Sequence, residues 1–495
     1  GTVQKENKEG KRMISFFVCL VVLIVGFFTY GKFVERVFGI DPDRKTPAIA
    51  NPDGVDFVPL SGWKIFMIQF LNIAGLGPIF GAIMGAKFGT SSFLWIVFGT
   101  IFAGAVHDFM AGMISLRHNG ESLPETIGRY LGVTAKQVMR FFTVILMILV
   151  GVVFVAGPAD LLAMLTPQNL DSTFWIFVIF AYYILATMFP IDKIIGRIYP
   201  AFAVALIFMA IGILFMLFIS FPDIPEITDG LSNKSEDPEN NPIFPMLFIS
   251  IACGAISGFH ATQSPLMARC MTNERQGRYI FYGAMVTEGI VALIWAAAAT
   301  YFFSPEGQAF FHITEPEKVN GNSAVIVNII SNGWLGMVGG ALAILGVVAA
   351  PITSGDTAFR SARLIVADFL HMEQRSISKR LLICIPLFLV AILILIYNLS
   401  DPAGFEKIWR YFAWSNQTLA VFTLWAITIY LSRKGKPYWI TLIPALFMMA
   451  VVITYILFDR SGIALPYTTS VIISAISVVI SAIYFFSYRY KEKHS

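Results

Sequence analysis

The chain has 495 residues, of which 57% are hydrophobic and 13% are charged, and its mean hydropathy is +0.72. A soluble protein of two or three domains is excluded, because so much apolar surface could not be buried in cores of its own. The net charge of +4 does not indicate a nucleic-acid partner. The four cysteines stand singly in apolar segments and are interpreted as small hydrophobic residues. The chain is predicted to be an all-α polytopic membrane protein.

Apolar stretches recur from one end of the chain to the other. A helix that spans a bilayer needs about 20 apolar residues, and about 13 stretches have a suitable length. The first is expected to be a retained span, because no small-residue cleavage site follows it. The ninth is too long to lie wholly in lipid and should continue past the membrane. The stretches are 13–31, 63–88, 92–117, 135–156, 172–189, 198–221, 244–269, 278–303, 334–370, 379–397, 406–431, 438–458 and 466–488.

Basic residues are divided unequally between the two sets of alternate loops. Twenty Lys and Arg residues lie in one set and six in the other, so the positive-inside rule places the first set and the C-terminus in the cytoplasm. The acidic loop 222–243 then lies outside. Thirteen spans would also place the N-terminus outside, although Lys5, Lys8, Lys11 and Arg12 favour the opposite side. The six Lys and Arg residues of the less basic set of loops are Lys87, Lys234, Lys318, Lys407, Arg410 and Arg460.

Two predicted spans are interrupted by glycine and proline, at residues 72–78 and 257–265. Glycine permits a helix to unwind, and proline suits the first turn of a new half-helix. Unwound backbone at bilayer depth is tolerated only where it lines a cavity or is buried in protein, so a substrate site is expected there. Ordinary proline kinks are the alternative. The predicted substrate-binding residues are Asn72, Gly75, Gly77, Pro78, Ser257, Gly258, His260, Gln263 and Ser264.

The two interruptions fall at corresponding places in successive five-helix blocks, at 63–221 and 244–431. This arrangement is typical of inverted repeats in a secondary transporter. The blocks are preceded by an N-terminal helix and connecting segment, 1–62, and followed by two C-terminal helices and a basic tail, 432–495.

Ionisable residues inside predicted spans are costly and usually face a cavity or a partner. His107-Asp108 and Glu288 are therefore predicted to handle a proton or cation. The alternatives are a structural pair tied to Arg117 and a protonated glutamate that bonds two helices. Thr353, Ser354 and Asp356 form a hard-oxygen cluster of the kind that binds a small cation. Back-bonding of the hydroxyls to their own helix, and a salt bridge from Asp356 to Arg360, remain open as alternatives.

Another polar pair, Asn416-Gln417, is expected to bond neighbouring helices. His260 stands alone at a predicted midplane position and has no second ligand at helical spacing, so no metal site is predicted. No cofactor is expected beyond a bound Na⁺ or a coupling proton.

Several long motifs resemble the carbon starvation protein A (CstA) family of bacterial membrane transporters. They are IDPDRKTPAI, DGVDFVP, NIAGLGPI and FAGAVHDF within 40–120, and ACGAISGFH, YGAMVTE, ITSGDTAFRSARLIVADF and SNQTLA further along. The resemblance implies the amino-acid/polyamine/organocation superfamily and a leucine-transporter-like 5+5 inverted repeat with two discontinuous helices. It also places Thr353 and Ser354 where related sodium-coupled transporters set such a pair against the first broken helix, opposite residues 72–77. The implied location is the bacterial inner membrane.

The favoured function is therefore import of a small peptide or of a short carboxylate such as pyruvate, coupled to a cation. Half-helix N-termini at 78–82 and 265–268 are expected to receive a carboxylate. The partners expected are the substrate, the coupling cation and membrane lipid, with no nucleic acid and no prediction of oligomeric state. A transporter-like nutrient sensor is the alternative. An intramembrane enzyme is disfavoured, because the acid and base candidates lack a nucleophile with a positioned base.

Overall fold

The computed structural model describes residues 12–401 and 404–495, and every regular element in these ranges is helical. Lys5, Lys8 and Lys11, which favour a cytoplasmic N-terminus, lie outside the described part, as does the side chain of Lys407, which entered the loop count. The helices are α1 Ile14–Phe28, α2 Tyr30–Phe38, α3 Pro47–Ala50, α4 Gly62–Ile73, α5 Ala82–Gly85, α6 Ser91–Leu94, α7 Ala105–Arg117, α8 Leu123–Leu131, α9 Val133–Leu165, α10 Ser172–Met188, α11 Ile195–Ser220, α12 Ile243–Ser250, α13 Gly258–Ala268, α14 Gly283–Phe303, α15 Pro305–Phe310, α16 Pro316–Val319, α17 Ser323–Leu370, α18 Ile377–Ser400, α19 Gly404–Arg433, α20 Trp439–Phe458 and α21 Tyr467–His494.

Each predicted apolar stretch coincides with helical segments of the structure. Among the described residues, nine helices are long and apolar enough to cross a membrane, and a bent pair supplies a tenth. Helix α17 begins earlier than the predicted stretch and is kinked at Gly336, which has a φ of 74°. Residues from both predicted five-helix blocks belong to one continuous hydrophobic core. An all-helical, multi-pass membrane fold is thus confirmed, whereas the repeat and the block boundaries remain predictions.

The beginning of α1 is anchored to the acidic loop. The carboxylate of Glu226 accepts hydrogen bonds from the backbone N–H groups of Ile14 and Ser15, at 2.9 and 2.7 Å. The Ser15 hydroxyl in turn accepts from the backbone N–H of Ile227 at 2.9 Å. A helix N-terminus attracts a carboxylate because its first N–H groups lack partners within the helix. The start of α1 therefore lies at the acidic-loop end of the molecule.

A buried ion-pair network lies just before α4 in the chain. Asp56 contacts Arg360 at 2.6 Å and Arg363 at 2.8 Å, and the three side chains are almost fully buried. Burial alone would raise the pKa of Asp56, but Arg363, Arg360 and Arg269 together lower it to about 2. Arg360 also donates to the backbone carbonyls of Ala186 and Phe189, at the end of α10. The alternative salt bridge from Asp356 to Arg360 is therefore wrong, because this arginine is committed to Asp56.

Candidate functional site

The first predicted span is broken after α4. The chain bends by 55° between Gly62–Ile73 and Gly77–Phe88, and a π-helical turn starts at Gly77. A methyl group on Gly75 would lie 2.9 Å from the Phe154 ring, and one on Gly77 would collide with the Cys253 side chain. Both glycines have ordinary backbone angles, since neither has a positive φ. They are required for close packing at the break rather than for an unusual backbone conformation.

The second break lies at residues 251–257, between α12 and α13. Helix α13 starts at Gly258, and Pro265 lies inside it. The expected half-helix N-terminus at 265–268 is therefore wrong. Of the predicted residues in this region, Ser257 and Gly258 lie at the break, while His260, Gln263 and Ser264 belong to the half-helix that follows.

The start of α13 is capped by a side chain from another helix. The amide oxygen of Asn416 accepts from the Ser257 hydroxyl at 2.9 Å and from the backbone N–H of Phe259 at 2.6 Å. Its amide nitrogen donates to the Cys253 sulfur at 3.6 Å. The cap occurs because the first N–H groups of a buried half-helix would otherwise have no partner. The expected bonding of helices by this amide pair is thus present at the second break.

A polar cluster meets the end of α4 at the first break. The Thr353 hydroxyl lies 2.8 Å from the Leu71 carbonyl oxygen, and the Ser354 hydroxyl lies 2.7 Å from that of Asn72. Both hydroxyls also contact the Ala350 carbonyl within their own helix. The two hydroxyls therefore contact their own helix, as the back-bonding alternative predicts, and they also contact the broken helix α4.

Asp356 completes this cluster together with a tyrosine. The Tyr199 hydroxyl donates to Asp356 at 2.6 Å and lies 3.1 Å from the Asn72 side-chain oxygen. Among the described residues, no basic side chain forms an ion pair with Asp356, which is completely buried. We call Asn72, Tyr199, Thr353, Ser354 and Asp356 the oxygen site.

A second buried cluster joins residues that lie far apart in the sequence. Asp108 contacts the Nδ1 atom of His107 at 2.7 Å and that of His260 at 2.9 Å. The other ring nitrogen of His260 lies 3.3 Å from a Glu288 oxygen. All of these side chains are completely inaccessible to solvent. We call His107, Asp108, His260 and Glu288 the relay cluster.

The relay cluster brings two histidines and two carboxylates into contact. Each histidine has Nδ1 turned to Asp108, whose carboxylate can accept from both rings. The Nε2 atom of His260 lies 3.3 Å from a Glu288 oxygen, a contact that is not aligned as a hydrogen bond. The alternative contact between the His107-Asp108 pair and Arg117 is wrong, because Arg117 forms an ion pair with Glu274 at 2.8 Å.

A cavity of about 600 Å³ leads from the acidic-loop end of the molecule to both breaks. Its lining includes Asp237 and Arg460 from the loops, Trp409 and Phe412 from α19, and Gly77 and Cys253 from the two breaks. We call this cavity the vestibule. It has the volume of a typical small-molecule site and combines apolar walls with charged groups.

Comparison with known proteins identifies the family. The sequence matches the model of the carbon starvation protein CstA family over residues 11–170, 159–338 and 316–455. The chain belongs to this family. The peptide transporter CstA of Campylobacter jejuni is 27% identical, over 91% of this chain and 80% of that protein. A membrane protein of Haemophilus influenzae is 44% identical, over 59% of this chain and 91% of its own length.

Another member of similar sequence is the pyruvate/proton symporter BtsT of Escherichia coli, 28% identical over 62% of this chain and 52% of that protein. Among solved structures, a Na⁺-coupled sialic acid symporter aligns with a TM-score of 0.57 at 15% identity, over 95% of this chain and 96% of that one. MhsT in complex with L-phenylalanine gives a TM-score of 0.54 at 13% identity, over 85% and 99%. At these identities the likeness shows the fold alone.

Within this CstA-family chain, the structure separates the predicted coupling residues from most of the predicted substrate residues. The predicted coupling residues fall into the relay cluster and the oxygen site. His260, which was predicted to contact substrate, joins the relay cluster instead. Of the other predicted substrate residues, Asn72 belongs to the oxygen site and Gly77 lines the vestibule.

The side chains of Gln263 and Ser264, which were predicted to bind substrate, bond residues of their own helix, α13. Gln263 donates to the hydroxyl of the neighbouring Thr262 at 2.9 Å, and the Ser264 hydroxyl donates to the His260 carbonyl at 2.9 Å. These bonds therefore lie within the half-helix and not across a break. Sequence reasoning missed Tyr199, whose hydroxyl contacts three members of the oxygen site: Asn72, Thr353 and Asp356.

Proposed function

We propose that the protein is a cation-coupled secondary transporter that imports a small peptide or a short carboxylate such as pyruvate. The observation that carries this proposal is the vestibule, which runs from the acidic-loop end to both helix breaks. Broken helices at the inner end of a cavity are the typical substrate site of secondary transporters. The names of the relatives in Campylobacter jejuni and Escherichia coli support transport, and they favour it over intramembrane catalysis.

The coupling ion is proposed to be a proton that occupies the relay cluster. His260 stands between two buried carboxylates and can exchange a proton with Glu288 across a single contact of 3.3 Å. The name of the Escherichia coli relative, a pyruvate/proton symporter, supports this choice. The oxygen site has the ligand chemistry for sodium or for a second proton, because a buried carboxylate without a basic partner must be neutralised.

We further propose that the protein lies in the bacterial inner membrane with its C-terminus in the cytoplasm. The basic loops support this orientation through the positive-inside rule. The vestibule then opens outside, and the network of Asp56, Arg360 and Arg363 seals the cytoplasmic end. This arrangement is suited to the capture of an external substrate before import.

The proposal is tested with purified protein in liposomes. Uptake of labelled pyruvate and of labelled dialanine is measured under an imposed proton gradient, under a sodium gradient, and after an ionophore has collapsed either gradient. At least one probe should accumulate above its external concentration with the proton gradient, and the ionophore should abolish that accumulation. If neither probe enters faster than into protein-free liposomes under any gradient, the proposal is wrong.

A further inference from the structure

Asn416 and Gln417 lie in an apolar helix, and the proposed function gives neither of them a role. Gln417 donates to the Phe248 carbonyl at 3.2 Å, near the end of α12. Asn416 instead contacts Cys253, Ser257 and Phe259, which lie within and just after the second break. The two adjacent amides thus contact opposite sides of one break.

Helix α19 connects the vestibule to this break. Trp409, Phe412 and Ala413 line the vestibule, and Asn416 follows one turn later on the same helix. Cys253, which receives the amide nitrogen of Asn416, itself lines the vestibule. The vestibule wall and the cap of α13 are therefore supplied by consecutive turns of one helix.

The start of α13 has no space to move independently of α19. A methyl group on Gly258 would collide with backbone atoms of Asn416 and Ala420. The Asn416 oxygen accepts from Phe259, and the next residue along α13 is His260 of the relay cluster. Closely packed elements shift together between discrete arrangements rather than deform gradually. A shift of Asn416 therefore changes both carboxylate contacts of His260, now 2.9 and 3.3 Å.

We propose that Asn416 is a positioning residue that couples occupation of the vestibule to proton transfer at His260. This inference rests on the proposed function. Asn416 itself neither touches the transferred proton nor belongs to the relay cluster. It acts by fixing where the half-helix that carries His260 begins.

The experiment compares two rates in liposomes, using whichever of pyruvate and dialanine the wild type accumulates. Counterflow reports substrate exchange without a proton gradient, and gradient-driven accumulation reports coupling. In Asn416→Ala, the ratio of accumulation to counterflow should fall about tenfold, within the usual range of coupling between sites. Asn416→Asp keeps the acceptor for Ser257 and Phe259, but it buries a carboxylate that must be neutralised, so it should restore only part of the ratio.

Gln417→Ala is the matched control. It removes the neighbouring amide, which contacts Phe248 before the break, whereas His260 lies after the break. Its ratio should stay within about twofold of wild type. If Asn416→Ala does not yield a monodisperse protein, Asn416→Thr is judged by the same ratio, because its hydroxyl is too short to replace the cap.

An unchanged ratio in the Asn416 variant, or an equal fall in both rates, overturns the inference. So does the same fall of the ratio in Gln417→Ala, which would indicate a general loss of helix packing. Failure of the wild type to transport either probe overturns the proposed function instead, so the two failures can be told apart.

Discussion

The two helix breaks present opposite chemistry to their surroundings. At the first break, the carbonyls of Leu71 and Asn72 at the end of α4 face the hydroxyls of Thr353 and Ser354. At the second, the N–H of residue 259 at the start of α13 faces the Asn416 oxygen. A helix carries partial negative charge at its C-terminal end and partial positive charge at its N-terminal end. The first break is therefore suited to a cation, and the second to an acceptor group.

The breaks also differ in the acid that lies beside them. The oxygen site at the first break holds one carboxylate, Asp356, bonded to a tyrosine hydroxyl. The relay cluster next to the second break holds two carboxylates joined through His260. A carboxylate that is bonded to a hydroxyl can bind one proton or one cation. A histidine between two acids can pass a proton from one acid to the other. Coupling is therefore expected to depend more on the second break than on the first.

The largest effect is expected from Glu288→Gln. A neutral amide cannot bind and release a proton, so gradient-driven accumulation should fall to the level of protein-free liposomes while counterflow persists. Thr287→Val is a matched control, since the Thr287 hydroxyl bonds the Gly283 carbonyl of its own helix. Proton-driven accumulation that matches wild type in Glu288→Gln would remove Glu288 from the coupling role.

A smaller effect is expected at the first break, from Asp356→Ala. Loss of the buried carboxylate should lower uphill accumulation strongly, although not to the level of protein-free liposomes, and should leave facilitated exchange in place. Tyr199→Phe removes a single hydrogen bond to that carboxylate and should weaken accumulation only about fivefold, the equivalent of about 1 kcal/mol. Both rates are measured side by side. Equal preservation of counterflow and accumulation in Asp356→Ala would show that the residue is structural.

The smallest effect concerns stability at the two glycines. Gly77→Ala meets the Cys253 side chain, whereas Gly258→Ala meets the backbone of α19. Overpacking costs about 1–3 kcal/mol, and backbone yields less readily than a side chain. Thermal unfolding in detergent should therefore show a larger loss in Gly258→Ala. Adding Cys253→Gly should recover the stability of Gly77→Ala but not that of Gly258→Ala, and recovery of both would refute the packing account.

Local properties of the sequence are sufficient to predict the spans and the first break. Hydropathy is a property of consecutive residues, and Gly75, Gly77 and Pro78 stand close together in an apolar stretch. The predicted start of the second half-helix, at Pro265, lies too far along the chain, because proline is only one of several residues that can begin a helix. The structure starts α13 at Gly258, where Asn416 supplies the cap from more than 150 residues away.

The composition of the relay cluster could not be predicted for a related reason. His260 and Asp108 are separated by 152 positions, and their contact depends on how α7 and α13 pack. His107, Asp108 and Glu288 are recognisable in the sequence because a charge inside an apolar span is costly wherever it points. Tyr199 carries no such signal, since a tyrosine in an apolar helix is equally at home in the core or at a membrane interface.

The central claim is that a proton enters with the substrate through the relay cluster. It is tested most directly by luminal pH, measured with a trapped pH-sensitive dye in sodium-free liposomes when the transported probe is added outside. The account predicts luminal acidification in step with probe uptake in the wild type, and none in Glu288→Gln above that in protein-free liposomes. Uptake by the wild type without acidification, or equal acidification in Glu288→Gln, would contradict it.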